Sequence, residues 1–413
     1  MRPERAPSTL CTAALLACGL VLAACTTTPS PVPAPTSGST ATRTATPTPA
    51  APSSGDPVEA TVTHEIVFGN PWSKNSHRVN AVTESAIDLI DSTVAGQTLT
   101  LSMFNFTFPG TGDALARAHK RGVDVHVLLN SEIRRPEQLR IVQKALGHNT
   151  DARSWVVVRP GGLRMHAKFL LISPTDSEPP VVWVSSGNLT TASGAGQANE
   201  ALTLRGDQPL YDFLAEQFEL MRSGVTDPVR LGRVATTAAT IVRSYPIPDG
   251  GAANDPVMTL LDDVTCVHNN ERTVVRLGHL FLTIERLYVA QELRELKESG
   301  CDVRVVGHLS VWVDKAEKIL VKPGAGQIDL RDSVGAALHT KITTIDGWDA
   351  SGNRLQVAMV GTHNLTGRAL AGNDEGVNDE ISLTLRDPDV VRRYSDWVDT
   401  VIDKHSRAAV VGG

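Results

Sequence analysis

The chain carries His166-Ala-Lys168 and then Ser185-Ser-Gly-Asn-Leu-Thr190, and it repeats this set as His339-Thr-Lys341 and Gly361-Thr-His-Asn-Leu-Thr366. Each copy offers an imidazole that can attack phosphorus or move a proton. Each also offers an ammonium and an amide that can hold phosphate oxygens. The duplication therefore predicts a phosphodiester site that two halves of one chain build together.

Other landmarks recur at nearly the same distance. Gly122-Val-Asp-Val125 aligns with Gly300-Cys-Asp-Val303 at an offset of 178 residues, and Leu202-Thr-Leu-Arg205 aligns with Leu383-Thr-Leu-Arg386 at 181. A period this long, with a complete βαβ pattern inside it, indicates duplicated domains rather than a solenoid. We expect one lobe at residues 58–235 and a second at residues 236–413.

Each half has the pattern of a strand, a helix and a second strand. The apolar periodicity and the glycines that follow the helices predict these elements at 97–104, 113–121 and 123–128 in the first half, and at 273–277, 285–299 and 301–306 in the second. Strands joined by a helix should be parallel. In each half the His-x-Lys motif then opens an apolar hairpin, at 168–184 and at 341–360. The fold class is therefore α/β, with mixed sheets flanked by helices.

The first 24 residues have the pattern of a signal peptide. Arg2 and Arg5 precede an apolar run from Leu10 to Ala24, which is short for a membrane span. The run ends in Leu22-Ala-Ala-Cys25, which resembles the bacterial lipoprotein signal box. That resemblance implies cleavage before Cys25 and lipid on its thiol. The alternative is an ordinary signal peptide with an incidental cysteine.

Residues 25–57 are almost entirely Thr, Pro, Ser, Ala and Gly, a composition that cannot bury a core. We expect this segment to be a disordered tether that holds the folded part away from a membrane. The predicted location is extracytoplasmic, with the protein anchored by lipid to a bacterial cell membrane, or secreted if Cys25 is not lipidated.

Two of the five cysteines, Cys266 and Cys301, remain after the signal segment and Cys25 are set aside. Outside the cytoplasm such a pair favours a disulfide, although two buried thiols fit the sequence as well.

The overall charge argues against a strongly basic surface. The formal net charge is -6, with 41% hydrophobic and 20% charged residues, which is ordinary globular composition. No bulk positive field favours nucleic acid, and we expect no nucleic-acid partner.

The duplicated motifs resemble those of the phospholipase D superfamily, whose signature is His-x-Lys-x4-Asp followed by Gly-(Ser/Thr)-x-Asn. The second copy is complete, with Asp346 as the supporting acid and Gly361 before Thr362 and Asn364. The first copy has Ser173 in place of the Asp and Ser185 in place of the Gly. The resemblance implies two lobes packed pseudo-symmetrically with the active site in the cleft between them. Because one chain holds both half-sites, we expect a monomer.

The resemblance also implies roles for particular residues. His166 would be the nucleophile and His339 the general acid, by analogy alone. The groups expected to bind the phosphoryl oxygens are Lys168, Lys341, Asn188 and Asn364, with help from Ser186 and Thr362. An acid after each Asn would orient the opposite imidazole, and Glu200 and Glu380 fit that place. Because four protein groups already neutralise the charge, we expect neither a metal nor another cofactor.

The leading hypothesis is a phospholipase D that hydrolyses phospholipid to phosphatidate and head-group alcohol through a phosphohistidine, with transphosphatidylation when an alcohol replaces water. Three alternatives remain open: a nuclease of the same superfamily, a catalytically inactive binding lipoprotein, and phosphatidyl transfer of the cardiolipin-synthase type. The sequence does not specify the head group.

Overall fold

A computed structural model describes residues 61–131, 136–374 and 376–410. The predicted signal peptide, Cys25 and the tether lie outside these ranges, and so they stay predictions. Within the described ranges no helix is both long enough and apolar enough to cross a membrane.

The first lobe contains nine strands and six helices in its described residues. The strands are β1 (Thr63–Phe68), β2 (Thr98–Met103), β3 (Asp124–Leu129), β4 (Trp155–Val158), β5 (Arg164–Met165), β6 (Phe169–Ile172), β7 (Val181–Ser185), β8 (Gln197–Ala198) and β9 (Glu200–Arg205). The helices are α1 (Ser76–Ser92), α2 (Pro109–Arg121), α3 (Pro136–Leu146), α4 (Thr191–Gly196), α5 (Gln208–Arg222) and α6 (Pro228–Leu231).

The described part of the second lobe repeats this plan with additions. Its strands are β10 (Val234–Thr236), β11 (Thr240–Tyr245), β12 (Val264–Thr265), β13 (Val267–His268), β14 (Glu271–Arg272), β15 (Val274–His279), β16 (Asp302–Gly307), β17 (Leu330–Ser333), β18 (Ala337–Leu338), β19 (Lys341–Asp349), β20 (Arg354–Gly361), β21 (Asn378–Leu385) and β22 (Ser406–Ala408). Its helices are α7 (Pro256–Leu261), α8 (Leu287–Glu298), α9 (Asp314–Val321), α10 (Gly367–Leu370) and α11 (Pro388–Lys404). Short 3₁₀ turns cover Ala252–Asn254, Ile284–Arg286 and Leu309–Val311.

The two main sheets have the same strand order. The first runs β9-β7-β6-β2-β3-β4 and the second β21-β20-β19-β15-β16-β17, with β1 and β11 added beside β9 and β21. In each sheet the βαβ strands are parallel and the hairpin that follows the His-x-Lys motif is antiparallel. The prediction of an α/β fold with two tandem lobes of mixed sheet is confirmed.

The crossover helices end where the sequence predicts. Gly122 follows α2 and Gly300 follows α8. Their φ angles are 99° and 98°, a backbone region that favours glycine. The second helix begins later than expected, at Leu287, because residues 284–286 form a 3₁₀ turn first.

Apolar side chains of both sheets, together with those of α5 and α11, form one core between the lobes. Two further cores lie on the outer faces, under α1 and α2 in the first lobe and under α8 and α9 in the second. Shared apolar burial therefore holds the lobes together, since the loss of water from both faces favours the packed state.

The lobes also exchange strands beside the predicted motifs. β5, just before His166, pairs in parallel with the start of β21, and β18, just before His339, pairs in parallel with β8. The backbone N–H of His166 donates to Asp379 O, and that of His339 donates to Ala198 O, both at 2.9 Å. Each histidine is therefore bound to the strand that follows the other lobe's Asn.

A buried ion pair reinforces one of these junctions. The guanidinium of Arg159 in the first lobe donates to the carboxylate of Asp379 in the second, and both side chains are almost fully buried. Arg159 also donates to Val225 O at 2.7 Å. Because a buried charge requires a partner, this pair fixes the start of β21 against the first lobe.

A disulfide joins Cys266 and Cys301 at a Cα–Cα distance of 4.5 Å. It links the segment before β15 to the start of β16, in the outer core of the second lobe. Of the two arrangements that the sequence left open, the structure contains the bridged one.

Replacing both cysteines by alanine should lower the free energy of unfolding by about 2–4 kcal/mol, because the bridge closes a loop between positions 35 residues apart. Urea unfolding followed by circular dichroism measures this. Reductant should lower the midpoint of the unmodified protein and leave that of the double variant unchanged; equal midpoints for the two proteins would contradict the prediction.

Candidate active site

The two motif histidines line one cavity of about 940 Å³ between the lobes. His166 lies between β5 and β6, and His339 lies between β18 and β19. Asn188 and Asn364 line the same cavity. The fold therefore brings the duplicated imidazoles and amides of both halves to a single cleft.

His166 is held by a carboxylate of the other lobe. Its Nδ1 lies 2.8 Å from Glu380 Oε2, as the sequence predicts. Glu380 is fully buried and also accepts from Thr362 Oγ1 at 2.6 Å and from Asn378 Nδ2 at 2.9 Å. A carboxylate can only accept, so Nδ1 carries the proton and Nε2 keeps its lone pair.

Burial lowers the pKa of His166 to about 4, and the nearby ammonium groups act in the same direction while Glu380 opposes them. For Glu380, burial is the largest influence and favours the neutral acid. His166, Lys168 and the Thr362 hydroxyl outweigh it and hold the pKa below its ordinary value. At neutral pH the pair is therefore a neutral imidazole beside a carboxylate.

His339 is held by an amide and not by a carboxylate. Its Nδ1 lies 2.8 Å from Asn199 Oδ1. The Asn199 amide donates through Nδ2 to Ser193 O at 2.9 Å and to Gln197 O at 3.3 Å, which turns Oδ1 toward the ring. Lys341 Nζ also lies 3.1 Å from this Nδ1. In the tautomer that bonds to Asn199 Oδ1, Nδ1 is the donor and Nε2 keeps its lone pair.

The prediction that Glu200 orients His339 is wrong, because Asn199 takes that place. Backbone bonds give the true equivalence: Ser186 N donates to Glu200 O and Thr362 N donates to Ile381 O. Glu200 thus corresponds to Ile381, and Asn199 corresponds to Glu380. The 181-residue offset of Leu202 and Leu383, read back three positions, would have identified Asn199 from the sequence.

Glu200 instead lies buried behind the site. Its Oε2 has no hydrogen-bond partner within the described residues. Burial raises the pKa of its carboxyl, while Ser186 and Lys341 act in the opposite direction. Glu200 therefore does not orient either imidazole, and it interacts electrostatically with Lys341.

Both motif lysines are completely buried. Lys168 Nζ donates to His166 O and Lys341 Nζ donates to His339 O, each at 2.6 Å. Burial lowers the pKa of both ammonium groups, and nearby carboxylates oppose this. An ammonium has three protons, so Lys168, when charged, has donors beyond this backbone bond. Lys341 Nζ also lies 3.3 Å from Ser186 O and 3.1 Å from His339 Nδ1.

The two motif asparagines differ in how they are held. Asn188 Oδ1 accepts from Asn105 N at 3.2 Å, which directs its NH₂ group away from that bond. The Asn364 carbonyl accepts from Arg286 Nη1 at 3.0 Å, and Arg286 is paired with the buried Asp255. Arg286 thus fixes the backbone of the second motif, an arrangement that the sequence did not suggest.

Ser186 and Thr362 do not line the cleft, contrary to their predicted help in phosphate binding. Ser186 Oγ accepts from Glu200 N and Thr362 Oγ1 accepts from Ile381 N, both at 3.0 Å. Both residues are fully buried. These hydroxyls join the motif to the strand that follows it, so their contribution is to position the motif.

Ser173 replaces the family acid without loosening the strand. It lies opposite Thr98, as Asp346 lies opposite Val274, and its Oγ accepts from Thr98 N at 2.8 Å. Asp346 is half-buried like Ser173, and its carboxylate accepts from Arg354 on the neighbouring strand. Ser173 and Asp346 each lie five residues after the motif lysine along the strand, so the substitution does not reach the reacting groups.

Ser185 also replaces its family residue with a compensating bond. Gly361 has φ of 142°, and a Cβ there would lie 2.4 Å from Ile381 O. Ser185 stays in extended backbone, donates to Glu200 O at 2.8 Å and accepts from Gly187 N at 2.9 Å. The first motif therefore remains anchored without glycine.

Two arginines that the sequence reasoning missed also line the cleft. Arg164 belongs to β5 and Arg368 to α10. Arg164 stacks over the ring of Phe104 at 5.0 Å, and that ring meets His166 edge-on at 5.2 Å. Arg164 lies two residues before His166 and Arg368 four residues after Asn364, so closeness to the motifs could have identified both from the sequence. Together with the lysines they favour an anionic ligand.

The sequence matches the family described as "Cardiolipin synthase, PLD-like domain" over residues 87–222 and 272–402, one segment in each lobe. Comparison with curated proteins gives no significant match.

Several solved structures are similar. Polyphosphate kinase from Porphyromonas gingivalis has a TM-score of 0.56 and 14% identity over 83% of this chain, which spans only 51% of the kinase. Phosphatidylserine synthase from Haemophilus influenzae Rd KW20 has a TM-score of 0.54 and 11% identity, covering 83% of this chain and 87% of the synthase. The phospholipase D family member Nuc from Salmonella typhimurium has a TM-score of 0.31 and 17% identity, covering 40% of this chain and 96% of Nuc. At such identities the first two similarities describe the fold.

The unequal partners of the two histidines give a prediction that needs no substrate. Asn199→Asp should raise the pKa of His339, because a carboxylate stabilises imidazolium. Glu380→Gln should lower the pKa of His166 below its value of about 4, because the carboxylate is lost. Titration of the histidine ring ¹³C resonances, assigned with alanine variants, measures both. An unchanged His339 titration in Asn199→Asp would show that Asn199 is not its partner.

Proposed function

Since the chain belongs to the phospholipase D superfamily, we propose that it is a phospholipase D-type enzyme that hydrolyses phospholipid to phosphatidate and a head-group alcohol. The superfamily acts on phosphodiester bonds; the lipid substrate and the choice of water as acceptor are the proposed part. One observation carries the proposal: two imidazoles line one cleft, and each is held through Nδ1 by the opposite lobe.

The first step forms a covalent intermediate. Nε2 of His166 attacks phosphorus, and the bond between phosphorus and the head-group oxygen breaks. His339, protonated when the anionic substrate is bound, gives its proton to the departing alkoxide. The carboxylate of Glu380, 2.8 Å from Nδ1, stabilises the positive charge that the attacked ring acquires.

The second step returns the enzyme to its starting state. His339, now neutral, takes a proton from water, and the resulting hydroxide attacks phosphorus. The bond between phosphorus and His166 Nε2 breaks, which releases phosphatidate and restores the neutral ring. An alcohol in place of water gives transphosphatidylation by the same exchange of bonds.

The surrounding side chains stabilise the charge on the phosphoryl oxygens. Lys168, Lys341, Asn188 and Asn364 are the proposed donors, and Arg164 also lines the cleft. In a site from which water is largely excluded, such donors act more strongly than in bulk solvent. Lipid attachment at Cys25 and an extracytoplasmic location remain part of the proposal, because an anchored enzyme would lie next to its substrate.

Head-group release tests the substrate class. The chain from about residue 58 onward should release choline or glycerol from phosphatidylcholine or phosphatidylglycerol, and not cleave single-stranded DNA. His166→Ala and His339→Ala should abolish release, and Lys168→Ala should lower kcat by about 10²–10³, because one charge-stabilising donor is lost. His148→Ala, at an exposed histidine outside the cleft, is the matched control. Cleavage of DNA without head-group release would favour a nuclease. No turnover of either substrate would favour a binding protein.

Acid quenching tests the order of the two histidines. With a phospholipid labelled at phosphorus, the unmodified protein should retain label as an acid-labile adduct, and His166→Ala should retain none. With a p-nitrophenyl ester, whose leaving group needs no proton, His339→Ala should still form the adduct and accumulate it. Label found on His339 of the His166→Ala variant would reverse the roles.

A further inference from the structure

The two sides of the cleft differ in their apolar content. The second lobe contributes five apolar side chains, here called the second-lobe wall: Leu280, Phe281, Ile284, Val311 and Val313. Besides Trp312, its remaining lining is polar and includes Thr283, Glu285, Thr366, Arg368, Asn373 and Asn378. The described lining of the first lobe is mostly polar, with Asn105, Thr107, Thr190, Ser193 and Gln197. Phe104 and Ala192 are the apolar members of that lining, and His166, Arg164 and Lys168 contact the Phe104 ring.

The contrast is sharpest at one pair of equivalent positions. Phe106 bridges to Leu189 in the first lobe, and Leu282 bridges to Leu365 in the second. The preceding residues, Asn105 and Phe281, therefore occupy the same place on opposite sides of the cleft. Asn105 has its backbone N–H bonded to the motif amide, whereas Phe281 presents an aromatic ring.

The second-lobe wall is a built part of the structure. Trp312, between Val311 and Val313, is buried and also lines the cavity, and its Nε1 donates to Leu280 O at 2.9 Å. The indole fits because residue 307 is glycine: a Cβ there would lie 2.5 Å from the ring. Val311 and Val313 flank this anchored tryptophan and face the cavity. Packing and this hydrogen bond therefore fix the tryptophan that separates Val311 from Val313.

The wall continues out of the cleft to the surface. Ile284 is 59% exposed and Val311 is 37% exposed, although both are large apolar residues. Exposed apolar side chains that also line a cleft are a feature that marks a ligand or interaction site.

We propose that the second-lobe wall binds the acyl chains of the substrate, so that the enzyme acts on acylated glycerophosphodiesters and discriminates against deacylated ones. This inference rests on the proposed function. It adds the set of side chains that would select acylated over deacylated substrates. Lys168 and Lys341 are buried next to the cleft histidines and match an anionic phosphate, and the wall matches a hydrocarbon attached to it. An acyl chain is long and flexible. It can therefore reach the wall whether the glycerol oxygen or the head-group oxygen is the one that leaves phosphorus.

Binding measured by calorimetry tests this without turnover. Dihexanoyl phosphatidate below its micelle concentration and glycerol 3-phosphate share the phosphate and the glycerol and differ only in acyl chains. The unmodified protein should bind the acylated ligand at least about tenfold more tightly. Phe281→Asn, which gives the second lobe the residue of the first, should reduce this ratio to within about threefold.

Ile284→Asn tests the same wall at an exposed position, where misfolding is not expected, and should also reduce the ratio. Val229→Asn is the matched control, because Val229 is 71% exposed and does not line the cleft. It should keep the original ratio. Equal affinities for the two ligands in the unmodified protein, or an unchanged ratio in both wall variants, would overturn the inference.

Failure of this inference is distinguishable from failure of the proposed function. If the protein releases head groups but shows no acyl preference in binding, acyl binding by the second-lobe wall is rejected and the proposed hydrolysis stands. If the protein prefers the acylated ligand but releases no head group, acyl binding by the wall stands and the proposed hydrolysis is rejected. Tighter binding of a single-stranded oligonucleotide than of the dihexanoyl ligand would overturn the acyl assignment.

Discussion

The site depends on a reciprocal pairing of strands between the lobes. The short strand before each motif histidine joins the strand that follows the other lobe's motif asparagine. This pairing brings the partner residue of one lobe to the imidazole of the other, so neither half can form a complete site alone. The buried Arg159–Asp379 pair and the shared apolar core keep the two junctions in register.

The pairing places several ionisable groups where water cannot solvate them. Lys168, Lys341 and Glu380 are completely buried, and burial keeps both imidazoles neutral near pH 7. Charges in such surroundings require opposite charges or strong hydrogen bonds. An anionic phosphodiester supplies the missing negative charge, which is why this arrangement favours that class of ligand.

The two half-sites are similar in backbone and different in chemistry. A carboxylate holds His166 and an amide holds His339. Asn105 faces the cleft from one lobe at the place where Phe281 faces it from the other. An ester of phosphoric acid with a polar and an apolar arm has the same lack of symmetry. The duplicated fold places the two half-sites opposite each other. The residues that differ between them would determine which way round the substrate binds.

The tandem α/β lobes and the duplicated His, Lys and Asn groups could be predicted from the sequence, because hydrophobic period and repeat spacing are properties of the chain. Sequence reasoning missed Asn199, whose role depends on the register between lobes, and it assigned phosphate contacts to Ser186 and Thr362, whose hydroxyls are bonded to the next strand. Only the tertiary structure decided these points and the polarity of the cleft walls. The physical reason is that partners far apart in sequence are chosen by packing and strand register, which no local pattern encodes.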